Sequence, residues 1–135
     1  MPGFSDEDEL HRYVGGIFEA AMEDEETGPK LAQTGLVLRM RCTNPESVLT
    51  IDLPNGEIHQ GAAGPAPSAT MVMATETANA YWQGKVNLPF AMARGKIKVE
   101  GTMTKLLALA PLAKKLFPIY VERLQRDGRD DLIVA

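Results

Sequence analysis

The sequence predicts an α+β domain in which five short strands alternate with helices, one domain spanning residues 1–135. Three observations predict it. Apolar residues recur at helical spacing near the N-terminus, in "DELHRYVGGIFEAA". From Gly35 the spacing switches to two, the signature of strands with one buried face. A long apolar segment then closes the chain, from Thr102 to Gly128.

The elements follow in order. Ser5 and the acidic "DEDE" suit the positive end of a helix dipole, and Leu10, Tyr13, Val14, Ile17, Phe18 and Ala21 fall on one face. Residues 6–24 therefore read as an amphipathic helix, ended by "EDEE" and the Gly28-Pro29 pair. Leu36, Leu38, Met40 and Cys42 alternate with Val37, Arg39, Arg41 and Thr43 in the first strand. Val48–Leu53 forms the second, with Leu49, Ile51 and Leu53 inward. "PNG" at 54–56 turns the chain into a third strand, Glu57–Gln60, because Asn-Gly tolerates positive φ. The uncharged "GAAGPAPSA" is a crossing loop, and Thr70–Ala74 is a fourth strand expected to be buried on both faces.

Thr75 opens a short helix carrying Tyr81 and Trp82, and Asn87 caps another, with Pro89 in its first turn. Gly84 and Gly95 stand where helix ends want left-handed residues. Both precede a lysine, but neither Gly-Lys pair is a phosphate loop, since Val86 and Ile97 occupy the place of the required Ser or Thr. Lys96–Glu100 is the fifth strand. In the tail, Pro111 and Pro118 are expected to divide the helix into pieces, because each lacks an N–H and clashes with the preceding turn. Apolar residues occupy more than one face there, so the tail has something to cover besides the sheet.

Bulk properties exclude several classes. Hydrophobic content of 44% and charged content of 24% are ordinary for a globular chain. A net charge of −4 argues against nucleic acid. A lone cysteine excludes an intrachain disulfide framework. No apolar run approaches the roughly 18 residues of a membrane span, and the acidic N-terminus is unlike a signal peptide, so a cytoplasmic location is expected.

The catalytic inventory is thin. His11 and His59 lie near no nucleophile motif and read as solvated residues, and no His, Cys or Glu spacing resembles a metal site. Cys42 shares the apolar strand face with Met40 and reads as a buried, inert thiol. Asp52 and Glu100 are the carboxylates available for acid–base work if the chain were a small enzyme acting on an apolar substrate. What stands out instead is surplus apolar surface. Four of the seven methionines lie between residues 71 and 103, a composition suited to adaptable apolar surfaces.

The stretch "SATMVMATETANAYWQGKVNLPFAMARGKIKVEGTMTKLLAL" resembles the sterol carrier protein type two domain. The likeness is carried by Gly84, Lys85, Phe90, Gly95, Lys96, Ile97, Val99, Gly101, Lys105 and Leu106, and extends more weakly from Gly35, over roughly three quarters of the chain. The resemblance implies a five-stranded mixed, mostly antiparallel sheet covered by helices, with an apolar cavity between sheet and C-terminal helices. It implies binding or transfer of lipids such as fatty acids, acyl-CoA esters, phospholipids or sterols, without catalysis. The chain ends "DLIVA" and lacks the Ser-Lys-Leu-type peroxisomal address of many eukaryotic members.

The expected cavity lining is Met71, Met73, Trp82, Phe90, Met92, Met103, Leu107, Phe117 and Tyr120. Lys85, Lys96 and Lys105 are the expected contacts for an anionic headgroup. No cofactor and no metal is expected. The expected partner is a lipid or other apolar small molecule, and transient membrane contact and a homodimer are both compatible with the chain. The alternative reading is an interaction module that docks or dimerises through its apolar C-terminal helix.

Overall fold

A computed structural model describes residues 2–134. The N-terminal helix is one rod in three parts: α1 (Glu7–Leu10), a π-helical turn (His11–Gly15) and α2 (Gly16–Glu23). Asp6 caps it, its Oδ1 accepting from the Glu9 N–H at 2.9 Å. The rod passes close to the sheet at Gly15, where a Cβ would meet Ile58 and Leu49.

Beyond it the structure differs from the sequence expectation. A further helix, α3 (Thr27–Gln33), opens where Gly28-Pro29 predicts a stop. Asp24, from the acidic cluster, accepts from the N–H groups of Glu26 and Thr27, and Pro29 sits in the first turn, where no N–H is needed. The hydrogen bond from the Thr27 N–H holds the Asp24 carboxyl below its ordinary range.

Five strands form one sheet in the order β3-β2-β1-β4-β5. They are β1 (Val37–Thr43), β2 (Ser47–Asp52), β3 (Glu57–Gln60), β4 (Ala69–Ala74) and β5 (Lys98–Gly101). β1 and β4 run parallel and the other pairs are antiparallel. In register, Met40 lies opposite both Leu49 and Met71, so these side chains continue one apolar row across three strands. Leu38, Met40, Cys42, Leu49, Ile51, Met71 and Met73 are all buried.

The opposite face is not a second core. β4 alternates buried Ala69, Met71 and Met73 with half-buried Thr70, Val72 and Ala74, which corrects the expectation of a strand buried on both sides. The loop after β3 lies over that face: Thr50 donates to the Gly61 carbonyl at 3.0 Å, and Arg39 donates to Ala62 at 3.2 Å.

α4 (Thr75–Trp82) and α5 (Leu88–Ala93) follow β4. Both end as the sequence predicts. Gly84 and Gly95 have φ of 76° and 74°, and the lysine after each donates its N–H back to the helix, Lys85 to Ala80 at 3.0 Å and Lys96 to Ala91 at 2.9 Å. Ile97 is fully buried ahead of β5, which begins two residues later than its alternation suggests.

The C-terminal helix α6 (Met103–Arg126) runs unbroken through Pro111 and Pro118. Its buried stripe is Leu106, Leu109, Ala113, Leu116, Tyr120 and Leu124, spaced by three or four residues. Both prolines are seven residues apart on the solvent face, where the carbonyls they leave unpaired remain open to water. A short 3-10 turn, Asp130–Leu132, returns the chain to the first helix. There Arg129 donates to Glu9 at 2.6 Å and to Asp131 at 3.1 Å. Burial alone would raise the Glu9 carboxyl, but the bonds from Ser5 and Arg129 outweigh it and hold it below the ordinary range.

Candidate functional site

An apolar cavity of about 320 Å³ lies between the sheet and α4, α5 and α6. Its floor is Leu38 of β1 and Met71 of β4. Tyr81 and Trp82 of α4 and Leu88, Pro89 and Met92 of α5 form two walls. The remaining wall is the first half of α6, from Met103 through Leu106, Leu107 and Leu109 to Ala110. Leu107 is 58% exposed and Met103 is 38% exposed, so the cavity reaches the surface along this edge of α6.

The local reasons for this wall geometry lie in the short helices. Asn87 caps α5 by accepting from the Phe90 N–H at 3.0 Å, which fixes its entry angle and turns Leu88, Pro89 and Met92 toward the cavity. Gly84 ends α4 two residues after Trp82, and a Cβ there would crowd the Phe117 ring at 3.2 Å. An aromatic cluster backs this end: Phe18, Tyr81 and Phe117 each meet Trp82 edge-on, at centroid distances of 5.3, 5.2 and 6.1 Å. Trp82 is buried, and among the described residues its Nε1–H has no hydrogen-bond partner. Burial raises the Tyr81 hydroxyl above its ordinary pKa, so it stays neutral.

Five of the nine expected lining residues surround this cavity: Met71, Trp82, Met92, Met103 and Leu107. The other four lie elsewhere. Met73 is buried beside Cys42 in the sheet. Phe117 packs behind Tyr81 and Trp82. Tyr120 is fully buried and donates to Asn79 Oδ1 at 2.6 Å, inside a network that joins α4 to the C-terminal turn. Phe90 points away from the cavity and is 65% exposed. The leucines at 38, 88, 106 and 109 line it as well, and Leu106 shares one helical face with Met103, Leu107 and Ala110.

The expected headgroup lysines also separate. Lys105 donates to the Gly35 carbonyl at 3.3 Å and ties α6 to the start of β1. Lys85 and Lys96 line a second, more polar concavity of about 370 Å³ together with Arg94, Asn87, Thr77 and Phe90.

The candidate acid–base carboxylates face away from the cavity. Asp52 is buried on the other side of β2 from Ile51, and both its oxygens accept from Asn55, at 3.3 and 2.8 Å, bracing the turn. Glu100 pairs with Thr70 across the strands, whereas the cavity residue Met71 pairs with Val99. The fold also gathers Asp52, Glu57 and His59, with one donor atom of each within 4.8 Å of the others. That grouping was not legible in the spacing, because it depends on β2–β3 register.

The family description "SCP-2 sterol transfer family" matches residues 17–114. No curated protein matches the chain in sequence. Among solved structures, the sterol carrier protein domain 2 of Helicoverpa armigera superposes with a TM-score of 0.70 at 22% identity, over 87% of this chain and 95% of that one. Apo sterol carrier protein 2 from Yarrowia lipolytica gives 0.63 at 17% identity, over 76% and 88%. Sterol carrier protein 2 from Aedes aegypti, solved in complex with the C16 fatty acid palmitate, gives 0.59 at 23% identity, over 82% and 96%. At these identities the likeness is one of fold. With the family match spanning most of its length, the chain belongs to the SCP-2 sterol transfer family.

Proposed function

We propose that this chain is a single, non-enzymatic lipid-binding domain that carries an acyl chain or similarly slender apolar molecule in the cavity beneath α6. The observation that carries the reading is the cavity itself. It is open to the surface at Leu107 and Met103 and walled by apolar side chains from the sheet and three helices. Such concave, mainly apolar sites are the usual form of small-molecule pockets, and about 320 Å³ sits near the lower end of their size range. Slender ligands suit it better than bulky ones.

Burial supplies the affinity. Each methylene removed from water contributes about 0.8 kcal/mol, so roughly ten of them contribute a gross ~8 kcal/mol before the costs of ordering the complex. Methionines at the floor and two walls allow the lining to adapt to chains of different shape. Neither Asp52 nor Glu100 faces the cavity, which favours a carrier over an enzyme. The palmitate complex of the Aedes aegypti relative supports a fatty acid as first probe.

The test is direct. Delipidated protein is titrated with a fluorescent fatty acid, and freshly purified protein is weighed by native mass spectrometry. Saturable uptake at one ligand per chain, displaced by palmitate, is expected. A clean apo mass together with no saturable uptake would overturn the reading.

A further inference from the structure

Charge along this chain is strongly divided. Residues 77–121 hold seven of the fourteen Lys and Arg residues, but Glu100 is their only acid out of eighteen in the chain. The rest of the sequence is correspondingly acidic. The basic stretch contains most of α4, all of α5 and β5, and α6 as far as its last turns, and so every helix that walls the cavity.

At α5 this charge meets exposed apolar surface. Phe90 is 65% exposed, the most exposed of the large apolar side chains. It shares its concavity with Lys85, Arg94 and Lys96, and with no carboxylate. Among the described residues, none of these three cations enters an ion pair. On the other side of α5, Leu107 and Met103 are exposed at the cavity's edge. The Asn87 cap and the Gly95 stop define the two ends of the helix between them.

We propose that the α5 edge is a docking surface for anionic phospholipid bilayers, with Phe90 inserting among the headgroups and Lys85, Arg94 and Lys96 pairing with lipid charge. An aromatic ring flanked by cations is the pattern of an interfacial anchor: the ring gains from leaving water and the cations from the negative surface potential. Charge complementarity selects this occupant. The acidic remainder of the molecule is repelled by the same bilayer, which orients the protein with the basic helices, and therefore the cavity edge, toward the membrane. The surface would place the cavity where lipid is collected or delivered. That consequence rests on the lipid-binding reading, but the docking does not.

Vesicle sedimentation tests it, using the whole chain. Binding is expected to vesicles of phosphatidylcholine with about one-third phosphatidylserine, not to phosphatidylcholine alone, and to weaken as salt shortens the Debye length. Each cation contributes about fivefold to partitioning, so the Lys85→Gln/Arg94→Gln/Lys96→Gln variant should bind on the order of 100-fold more weakly with its melting temperature unchanged. A Phe90→Trp variant should show a blue shift in emission on anionic vesicles, beyond any change from the buried Trp82 of the parent protein. Failure to bind anionic vesicles, equal binding to neutral ones, or full binding by the triple variant would each overturn the proposal. Fatty-acid uptake measured without vesicles separates the two readings. A wild-type protein that takes up probe but ignores vesicles loses only the docking surface, and one that binds vesicles but takes up no probe loses only the carrier function.

Discussion

At the scale of single residues, the most constrained side chain is Asn79. It is fully buried, and its amide is satisfied on both sides: Nδ2 donates to Leu132 at 2.8 Å and Pro2 at 3.1 Å, while Oδ1 accepts from Tyr120 and Gln83. Asn79→Ala removes four hydrogen bonds at once, the one from the Tyr120 hydroxyl among them, and should cost about 2–4 kcal/mol. Tyr120→Phe removes one donor and leaves Gln83 still bonded to Oδ1, so about 1 kcal/mol is expected. Thermal melts of the two variants check the ranking, and equal losses would show that the network is not the cause. Cys42 has a different consequence. Burial pushes its thiol up to about 12, so the folded protein keeps it protonated while the unfolded chain ionises near its ordinary value of 9.0. Above that pH the unfolded state binds fewer protons, and the thiol's contribution to stability falls until the folded group also titrates. Melting temperature should therefore decline between pH 9 and 11, and a Cys42→Ala variant should decline less. A thiol reagent at pH 8 should label the protein only in denaturant.

At the scale of elements, two of the differences between sequence and structure, at α3 and α6, come from proline. Gly28-Pro29 reads as a helix stop, but a proline in a first turn gives up no hydrogen bond, and Asp24 supplies the acceptor that starts α3. Pro111 and Pro118 read as breaks in the tail, each with a cost of roughly 3 kcal/mol inside a helix. Five large side chains on the buried stripe of α6 each contribute about 1.5–3 kcal/mol by burial, on the order of 10 kcal/mol together, so tertiary packing wins. Local rules state the cost of a proline, but only the position of the sheet states the gain. The strands were legible because a period of two survives any tertiary context, and the stops at Gly84 and Gly95 because a left-handed residue is a local requirement. It follows that Pro118→Ala should stabilise the protein. The new N–H finds the Lys114 carbonyl on the solvent face without disturbing the core, and a gain of about 1–3 kcal/mol is expected in denaturant unfolding. No gain would mean that α6 already relieves the clash at no cost.

At the scale of the whole molecule, the sequence pointed to β4, α4, α5 and α6 as elements around the cavity, but not to β1 and not to which of their side chains line it. Met71, Trp82, Met92, Met103 and Leu107 were identifiable as large apolar residues in the right elements. Tyr120 and Phe90 were equally plausible by type, yet one is drawn inward by Asn79, distant in sequence, and the other is turned outward by the rotation that the Asn87 cap sets. The cavity is thus a property of helix rotation, and it is best tested by filling it. Ala110 lines the cavity on α6 and is only half-buried, so Ala110→Trp can project its ring into the empty space with little strain on the backbone. Under the proposed carrier function, filling the cavity has two coupled effects. Uptake of a fluorescent fatty acid should fall at least about tenfold, since the ring occupies the ligand's volume. The apo protein should keep or raise its melting temperature, because the new ring gains dispersion contacts with the cavity walls. The parent protein should behave in the opposite sense. Ligand at about 100 times its dissociation constant stabilises the native state by about 2.7 kcal/mol, a rise of roughly 10 °C for a chain of this size, and the filled variant should show almost none of it. A variant that binds fatty acid as the parent does, with the same ligand-dependent shift, would place the ligand somewhere other than beneath α6.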